Sequence, residues 1–509
     1  MRIIPFGALR ASASALAVAA LTALSFLGGG WGCNGAHEPV VPSPAPKSIV
    51  LISLDTLRAD HLGTYGHHRP TSPILDAFAA GGTTFEDASS TAPWTLPAHT
   101  SMLTGLYPLN HRVLTFDSAL PKEIPTLANV LGAAGYRTAA VVNSTWLKRD
   151  RYGVTRDFEQ YLFVDDTQDR RGPNTWITDQ AVSWLSEDEE RPLFLFVHYY
   201  DIHTDYTSLP EYERLFVSPY TGKADGTAWQ IARASLEKDY LDMCRKNYDP
   251  KKCRIGTPDN FLAIDHSLET IEFDEDDIRH LEELYDAGIR QLDNELGRFF
   301  SLLKEKSLLE ETLIIITSDH GEEFLDHGGM DHFLTMYQEI LRVPLIFHGP
   351  GVPAGRRIET PVSLVDLAPT ILSLAGLDSN FVTDGLDLSP LLRGDAPSAF
   401  NEREIFGEAS GGLTYALMMD QIFPVFRSIR LGNHKLIHNS KTKIWSLYDL
   451  GEDPKEIRDV AQEKPELVEA LAAQMAQRYE GFDPSPAPSE RVELNREELE
   501  HLRALGYVP

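Results

Sequence analysis

The sequence predicts an α/β protein, in which a large, mostly parallel sheet forms the middle layer of an αβα sandwich. Helical patterns separate nearly continuous apolar runs, an order that builds parallel strands joined by crossover helices. With 509 residues and 42% apolar content, the chain can bury a large core, and one large domain plus a smaller one is expected. Five apolar runs have the character of buried parallel strands: SIVLISLD (48–55), RTAAVVN (137–143), PLFLFVHYY (192–200), TLIIITSDHG (312–321) and RVPLIFHGP (342–350).

The helices between these strands are also visible in the sequence. IPTLANVLGAAG (124–135) is one helical stretch, and the run from residue 277 to 306 is the clearest amphipathic pattern. In an open α/β sheet, ligands bind beyond the carboxyl ends of the strands. The polar residues that follow each strand are therefore the first candidates for a functional site.

Three of the apolar runs end in residues that can do chemistry. Asp55 follows the first run, Asp201 and His203 follow the third, and Asp319 and His320 follow the fourth. Each aspartate alone could cap a helix or a turn. Two carboxylates and an imidazole at one point would repel each other or stay protonated unless a divalent cation neutralised them. Their joint position predicts one metal site.

A hydroxyl nucleophile is predicted in APWTLPAHTSMLTG, residues 92–105. Thr95 precedes an early helical proline, Pro97, so its hydroxyl would lie at a helix N-terminus. A hydroxyl close to a divalent cation loses its proton more readily and can attack an electrophile.

Several of these motifs together resemble the sulfatase family of the alkaline phosphatase superfamily. The resemblance covers residues 48–204, 280–394 and 425–460, and it implies an alkaline phosphatase-like fold with a smaller C-terminal domain that contains an antiparallel sheet. A catalytic domain is expected at 48–400, with an insertion at 207–275, followed by a C-terminal domain and tail at 401–509. The motifs include LISLDTLRADHLGTYG, WTLPAHTSMLTGLYP, TSDHGEEFLDHG, YQEILRVPLIFHGPG and LYDLGEDPKEIRDVA.

The resemblance assigns roles to individual residues. It implies that one divalent cation is held by Asp55, Thr95, Asp319 and His320. Calcium is the expected ion by resemblance, with magnesium, manganese and zinc left open. The catalytic set that it implies is Thr95 as the nucleophile, His203 near the ester or leaving-group oxygen, His99 in place of the family's arginine, and His332 where relatives carry a basic group. His327 is equally suited to a loop hydrogen bond and is left out of this set.

Thr95 departs from the family pattern in a way that changes the expected chemistry. Sulfatases oxidise a cysteine or serine here to formylglycine, whereas the β-carbon of threonine already bears a methyl group, so no formylglycine is expected. A phosphothreonine can be hydrolysed by attack of water on phosphorus, but a sulfothreonine lacks the easy elimination route. We therefore expect a metal-dependent hydrolase of sulfate or, better, phosphate esters, acting on a small-molecule, glycan or lipid ester. A phospho-group transferase of the cell envelope and a non-catalytic binding protein on the same scaffold remain alternatives.

The N-terminus predicts export. Arg2 and Arg10 lie before a 17-residue uncharged run at 11–27, which is short for a bilayer span and fits a signal peptide. Cys33 follows small residues as in a lipoprotein site, giving a signal segment at 1–33 and a Pro-rich tether at 34–47. An ordinary cleaved signal peptide is the alternative. The protein is thus expected in the cell envelope, on its periplasmic or extracellular face, with membrane contact only through a lipid anchor.

Charge and cysteine content complete the prediction. The net charge of −29 argues against nucleic-acid binding, which needs a positive surface. Cys244 and Cys253 are expected to form a local disulfide in an oxidising compartment, with two free thiols as the alternative. The sequence leaves the oligomeric state open.

Overall fold

A nine-stranded, mostly parallel sheet dominates the computed structural model. The structure describes residues 46–149, 151–165, 172, 174–187, 190–235, 254–256, 261–263, 271–377, 381–395, 397–409, 425–482 and 492. The strands are β1 Ser48–Leu54, β2 Thr83–Ser89, β3 Arg137–Val142, β4 Gln160–Phe163, β5 Leu193–Tyr199, β6 Arg254–Gly256, β7 Phe261–Ala263, β8 Thr312–Thr317, β9 Glu323–Phe324, β10 Met330–Asp331, β11 Arg342–His348, β12 Arg356–Ile358, β13 Val362–Ser363, β14 Glu404–Ala409, β15 Phe426–Leu431, β16 His434–Asn439 and β17 Trp445–Asp449. The helices are α1 Pro73–Ala80, α2 Thr95–Thr104, α3 Pro108–His111, α4 Leu127–Ala133, α5 Thr175–Leu185, α6 Pro210–Phe216, α7 Ala228–Ser235, α8 Glu275–Glu305, α9 Gln338–Leu341, α10 Leu367–Leu374, α11 Ser389–Arg393 and α12 Pro465–Arg478.

The strand order places the five predicted strands side by side in the middle of the sheet. The order is β12-β2-β11-β8-β1-β5-β3-β4, with β13 paired to β2. Strand β1 is parallel to both β8 and β5, and β3 is parallel to β5 and β4. All five predicted apolar runs form strands of this sheet, and the predicted mostly parallel sheet is confirmed.

The direction predicted for the fifth run was wrong. Strand β11 is antiparallel to both neighbours, β8 and β2. A parallel return needs a crossover of a dozen or more residues that usually holds a helix. The segment between β8 and β11 contains only the short β9–β10 hairpin and the four-residue helix α9. A continuous apolar run reports burial on both faces, and that burial is the same for either strand direction.

Helices cover both faces of the sheet. One core cluster contains Ile49 and Leu51 of β1, and the other contains Val50 and Ile52, because successive residues of a strand point to opposite faces. The long helix α8 packs in the second cluster and begins with a capping box, in which the Asp274 side chain accepts from the Asp277 backbone N–H. The two clusters are the two hydrophobic cores of an αβα sandwich, one on each face of the sheet.

A separate antiparallel sheet follows the large one. Strands β14, β15, β16 and β17 pair in sequence order, each antiparallel to the next. Its core residues Ile429, Leu436 and Leu447 pack against α12 residues Leu471 and Met475. The antiparallel sheet expected near the C-terminus is therefore present, whereas the domain boundaries at 400 and 401 stay a prediction.

The predicted insertion and the N-terminal segments are only partly within the described residues. Helices α6 and α7 lie in the insertion, and α6 packs on α8. Cys33, Cys244 and Cys253 lie outside the described residues, so the lipidation and the disulfide stay predictions. Within the part of the chain that the structure describes, every helix is too short or too polar to cross a bilayer.

Candidate metal centre and active site

The candidate site lies at the carboxyl edge of the three central strands. Asp55 directly follows β1, and Asp319 and His320 follow β8 by two and three residues. Because β1 and β8 are adjacent and parallel, these side chains emerge at one edge of the sheet. All three are fully buried, at 0% exposure.

The three side chains converge as the sequence predicts. His320 Nε2 lies 3.7 Å from Asp55 Oδ1 and 3.4 Å from Asp319 Oδ2. Each residue offers one ligand atom, and these atoms lie within 4.8 Å of one another. Among the described residues, Asp55 Oδ1, Asp319 Oδ2 and His320 Nε2 are buried and have no hydrogen-bond partner. A buried polar atom without a partner costs about 1–3 kcal/mol, and a cation at this point would satisfy all three. The residues therefore fit a divalent cation.

The remaining polar atoms of the three ligands are held by the protein. Asp55 Oδ2 lies 3.1 Å from His198 Nε2, and Asp319 Oδ1 accepts from the Thr56 and His320 backbone N–H groups at 3.3 and 3.0 Å. His320 Nδ1 lies 2.9 Å from the carbonyl oxygen of Gly321, which fixes the proton on Nδ1 and leaves the Nε2 lone pair available. Each ligand thus has one anchored atom and one atom that faces the centre.

Burial gives these groups unusual proton affinities. It raises the pKa of Asp55 to about 7, against the lowering effects of the His332 charge, the Thr56 backbone N–H and the Thr95 hydroxyl. Burial raises the pKa of Asp319 to about 7 as well, and the neighbouring Asp55 carboxylate raises it further. Burial, with His332 nearby, lowers the pKa of His320 well below its usual range. A divalent cation would stabilise the ionised form of the two carboxylates, which burial disfavours, and it would bind the neutral imidazole of His320.

The loop after β1 is clamped by the long helix α8. Thr56 has a positive φ of 57°, and the Tyr285 hydroxyl of α8 donates to the Thr56 carbonyl at 2.7 Å. The same hydroxyl accepts from the Arg58 backbone N–H at 2.9 Å. This clamp holds the turn that carries Asp55.

Thr95 occupies the predicted place at the start of helix α2. The helix begins at Thr95 and ends before Gly105, whose φ of 69° suits glycine. Every residue of α2 is buried, and its other hydroxyls are hydrogen-bonded: Thr100 Oγ1 and Thr104 Oγ1 donate to carbonyls one turn earlier, and Ser101 Oγ bonds to Thr91 and His111. Thr95 Oγ1 makes no hydrogen bond of ordinary geometry within the described residues, yet it is close enough to Asp55 to affect the pKa of that carboxyl. The one hydroxyl left available in this helix is the predicted nucleophile.

His99 lies one turn further along α2, behind the candidate centre. Its Nδ1 lies 2.8 Å from the Thr95 carbonyl oxygen and 3.4 Å from Asp319 Oδ2, and its Nε2 lies 2.9 Å from Ser53 Oγ. Burial lowers the pKa of His99 to about 4. Both ring nitrogens contact protein groups, and the catalytic role of His99 in place of the family's arginine stays a prediction.

His203 and His332 meet next to the ligand cluster. The His332 ring lies 4.5 Å from that of His320 and 5.0 Å from that of His203, which stacks on Tyr200 at 4.2 Å. The structure thus brings both predicted histidines to the same place as Asp55, Asp319 and His320.

The charge of His332 is set by two carboxylates that the sequence analysis missed. His332 Nδ1 lies 2.7 Å from Asp331 Oδ1 and 3.1 Å from Glu322 Oε1. Burial opposes protonation, but these carboxylates outweigh it and hold the pKa of His332 well above its usual range. Nothing in the local sequence marks Glu322 and Asp331 apart from the many other acidic residues, because their role depends on the turn between β9 and β10.

His327 lies outside this cluster. Its Nδ1 is 2.6 Å from Glu339 Oε1, its Nε2 is 3.0 Å from the Glu456 carbonyl oxygen, and its ring stacks on Tyr337 at 3.7 Å. In this structure His327 is therefore a hydrogen-bonded loop residue.

Comparison with known proteins shows which family the sequence matches and agrees with the fold. The Sulfatase family profile matches residues 47–377, and the profile "N-sulphoglucosamine sulphohydrolase, C-terminal" matches residues 326–482. The multifunctional alkaline phosphatase superfamily protein PehA of Trinickia caryophylli is 25% identical over 486 residues, which cover 82% of this chain and 91% of that protein. Arylsulfatase K of Rattus norvegicus is 25% identical over 460 residues, which cover 84% of this chain and 77% of that protein.

A solved structure shares the whole architecture. The phosphonate monoester hydrolase of Agrobacterium radiobacter superposes with a TM-score of 0.67 at 22% identity, and the match covers 88% of this chain and all (100%) of that one. The family match spans well over half of this chain, and the shared fold covers 88% of it. The chain therefore belongs to the sulfatase family of the alkaline phosphatase superfamily and is an ester hydrolase of that family.

Proposed function

We propose that this protein is a metal-dependent hydrolase that cleaves phosphoryl esters, in preference to sulfate esters, through a covalent intermediate on Thr95. The observation that carries the proposal is the buried Thr95 hydroxyl, which makes no ordinary hydrogen bond within the described residues and lies close enough to Asp55, one of three converging ligands, to lower the pKa of that carboxyl. The names of two similar proteins, a multifunctional alkaline phosphatase superfamily protein and a phosphonate monoester hydrolase, also favour phosphorus chemistry.

The residues suited to hold the cation are Asp55, Asp319 and His320, with the Thr95 hydroxyl close to Asp55. Mixed carboxylate, hydroxyl and imidazole ligands suit calcium, magnesium or manganese, and zinc is the remaining candidate. When bound, a divalent cation supplies Lewis-acid stabilisation of negative charge at this point.

The chain's own groups account for both halves of the reaction. In the first half, Thr95 Oγ releases its proton to solvent and forms a bond to phosphorus while the bond from phosphorus to the ester oxygen breaks. His203, beside His332, is proposed to give a proton to the departing oxygen. In the second half, water attacks phosphorus and returns one proton to His203, the Thr95 Oγ–P bond breaks, and Thr95 Oγ takes up a proton from solvent. The sum is one ester and one water converted into an alcohol and a phosphate.

His332 is proposed to stabilise negative charge on the transferring group. Its imidazolium is kept by Asp331 and Glu322, and it lies beside His320. A fixed positive group near the anion favours a transition state in which negative charge grows on the equatorial oxygens.

The decisive experiment is a substrate panel on metal-stripped protein. Aryl sulfate, phosphate monoester, phosphodiester and phosphonate monoester are assayed with calcium, magnesium, manganese or zinc added back. We expect turnover of a phosphoryl ester that depends on added cation, and little turnover of the sulfate. Equal rates with and without chelator would remove the metal from the proposal, and a preference for the sulfate would overturn the substrate class.

The same panel separates the hydrolase from a transferase. An acceptor alcohol is added at rising concentration, and free phosphate is compared with the phosphorylated acceptor. A hydrolase releases phosphate at an unchanged rate. Product that passes quantitatively to the acceptor would favour the envelope transferase.

We also propose that the protein is exported and anchored through a lipid on Cys33, with the catalytic part held off the membrane by the Pro-rich tether at 34–47. The charged start, the 17-residue apolar run and the small residues before Cys33 support this proposal.

A further inference from the structure

We propose that His198 is a positioning residue for the candidate metal centre. His198 holds the carboxylate of Asp55 so that only one carboxylate oxygen faces the cation. This inference rests on the metal dependence proposed above. His198 was not marked by the sequence, because a histidine inside an apolar strand is also common as a satisfied core residue.

The position of His198 in the sheet is the first argument. His198 on β5 is the register partner of Ser53 on β1, so their side chains lie beside each other on the same face of the sheet. On that face the earlier partners are apolar, Leu51 beside Phe196, and both belong to the core cluster beneath helix α2. The face changes from apolar to polar at the last register pair before the site, which is where Asp55 leaves β1.

The contacts of the two polar side chains are the second argument. His198 Nε2 lies 3.1 Å from Asp55 Oδ2, and its Nδ1 lies 3.1 Å from Asn143 Oδ1, just beyond β3. Ser53 Oγ lies 2.9 Å from His99 Nε2, and the His99 ring lies 5.0 Å from the His198 ring. Two adjacent imidazoles therefore stand behind the centre, with His198 against Asp55 and His99 against Asp319.

The consequence for Asp55 is the third argument. Only an N–H at His198 Nε2 attracts a carboxylate oxygen, so Asp55 Oδ2 accepts from it, and Oδ1 is the oxygen left without a partner among the described residues. Without this contact the carboxylate could rotate about its Cβ–Cγ bond. A group that orients a metal ligand in this way typically contributes about 10- to 100-fold to metal affinity.

The test uses manganese binding to the purified full-length protein after chelator treatment. Mn²⁺ affinity is measured by isothermal titration calorimetry, and the Mn²⁺ electron paramagnetic resonance line shape reports the symmetry of the site. We expect His198→Leu to weaken Mn²⁺ binding by about 10- to 100-fold and to change the line shape. We expect His198→Gln to recover most of the affinity, because its amide nitrogen reaches about as far as Nε2, and His198→Asn to fail, because its amide nitrogen reaches only as far as Nδ1.

His111 supplies the matched control. It is also fully buried, and its ring bonds to Ser101 Oγ and to the Val113 backbone N–H instead of a carboxylate. His111→Leu should lose stability without a change in Mn²⁺ affinity. The inference is overturned if folded His198→Leu binds Mn²⁺ within about twofold of wild type. Should His198→Leu fail to fold, equal affinities of the Gln and Asn variants would overturn it instead. Wild-type protein that binds no Mn²⁺, Ca²⁺, Mg²⁺ or Zn²⁺ would instead refute the metal centre itself.

Discussion

At the scale of single residues, the site is built from side chains in which one polar atom contacts the protein and another faces the candidate metal centre. Asp319 anchors Oδ1 on backbone N–H groups and leaves Oδ2, and His320 anchors Nδ1 on a carbonyl and leaves Nε2. Thr95 is the extreme case, because its hydroxyl has no protein bond of ordinary geometry within the described residues. Polar atoms left without a protein partner are available to bind a ligand. Replacement of these residues should therefore lower the reaction rate far more than the stability of the fold.

The first prediction concerns the nucleophile. Thr95→Ala should lower kcat/KM for the best phosphoryl ester by a factor on the order of 10⁴ to 10⁶, because no hydroxyl remains to attack. Thr95→Ser should stay active, since only the methyl group is lost. Thr100→Ala, in the same buried helix, removes a hydroxyl that bonds only locally and should change stability instead of the rate. Wild-type turnover by Thr95→Ala would refute the mechanism.

Replacing Thr95 by cysteine extends this test to the reaction class. Thr95→Cys, expressed with a formylglycine-generating system, should shift preference from phosphoryl esters towards sulfate esters. Mass spectrometry must first show the aldehyde, because His99 stands where the family's arginine belongs. An aldehyde-bearing variant that still prefers phosphoryl esters would mean that the pocket, and not residue 95, selects the ester.

At the scale of elements, the helix that carries Thr95 is held at both ends. Its start is fixed by His99, which contacts the Thr95 carbonyl, and its end is fixed by Gly105, whose carbonyl accepts from Thr383 Oγ1 at 2.8 Å. The position of Thr95 relative to the ligands therefore depends on contacts at the opposite end of α2.

A glycine substitution measures this dependence. Gly105→Ala should destabilise the protein by more than about 1–2 kcal/mol, the cost of a left-handed conformation, because the new Cβ would also lie 3.1 Å from Thr383 Cβ. Gly432→Ala is the control, since Gly432 has a similar φ of 57° and open space around it. Denaturant unfolding compares the two free energies of unfolding. Equal losses would mean that the contact with Thr383 contributes nothing.

The cysteine pair in the insertion gives a second prediction at this scale. Cys244 and Cys253 should be bridged in exported protein, and closing a loop of about ten residues stabilises by roughly 2–3 kcal/mol in the chain-entropy model. Intact mass spectrometry without reductant should find a mass two hydrogens below that of the reduced chain. Two free thiols in exported material would contradict the bridge.

At the scale of the whole molecule, the C-terminal sheet is joined to the segment between β9 and β11 by a largely buried polar network. Lys435 Nζ of β16 lies 2.9 Å from Glu456 Oε1, and the Glu456 carbonyl oxygen lies 3.0 Å from His327 Nε2. His327 in turn pairs with Glu339 at 2.6 Å. The network connects the loop after β17 to the segment between β9 and β11, close to the residues that carry His332.

This network predicts a pH dependence of stability. Burial opposes protonation of His327, but the hydrogen bond to Glu339 and its charge outweigh it and raise the pKa of His327 to about 9. Because the unfolded pKa is about 6.5, the stabilisation is full below about pH 6.5 and is lost as the pH rises through about 9. His327→Gln should therefore lower Tm more at pH 6 than at pH 10. His438→Gln, at a histidine whose pKa is lowered, should show no such difference. A Tm loss for His327→Gln that is equal at both pH values would contradict the assignment.

Membrane attachment is also a property of the whole molecule. Replacing Cys33 by serine should release the protein from the membrane fraction, because the lipid on Cys33 is the only proposed anchor. Stable attachment through that lipid needs more than one acyl chain. The net charge of −29 gives the protein no general attraction to anionic lipid surfaces. Unchanged retention of Cys33→Ser would place the anchor elsewhere.

The sequence by itself predicted a mostly parallel sheet, five of its nine strands and the edge at which the candidate site lies. Runs of apolar residues indicate burial, and polar residues at their ends indicate the functional edge, so Asp55, Asp319 and His320 could be predicted from their positions, whereas Thr95 was predicted from the start of a helix. It did not determine the direction of β11, because burial is the same for either direction. Nor did it reveal four residues that contact members of the site. His198 contacts Asp55, which is 143 positions away, and Asn143 contacts His198, which is 55 positions away. Glu322 and Asp331 contact His332, which is 10 positions and 1 position away, respectively. Such roles follow from the register between strands and the path of one hairpin, which only the tertiary structure decides, because orientation of a metal ligand depends on distances between elements and not on residue type.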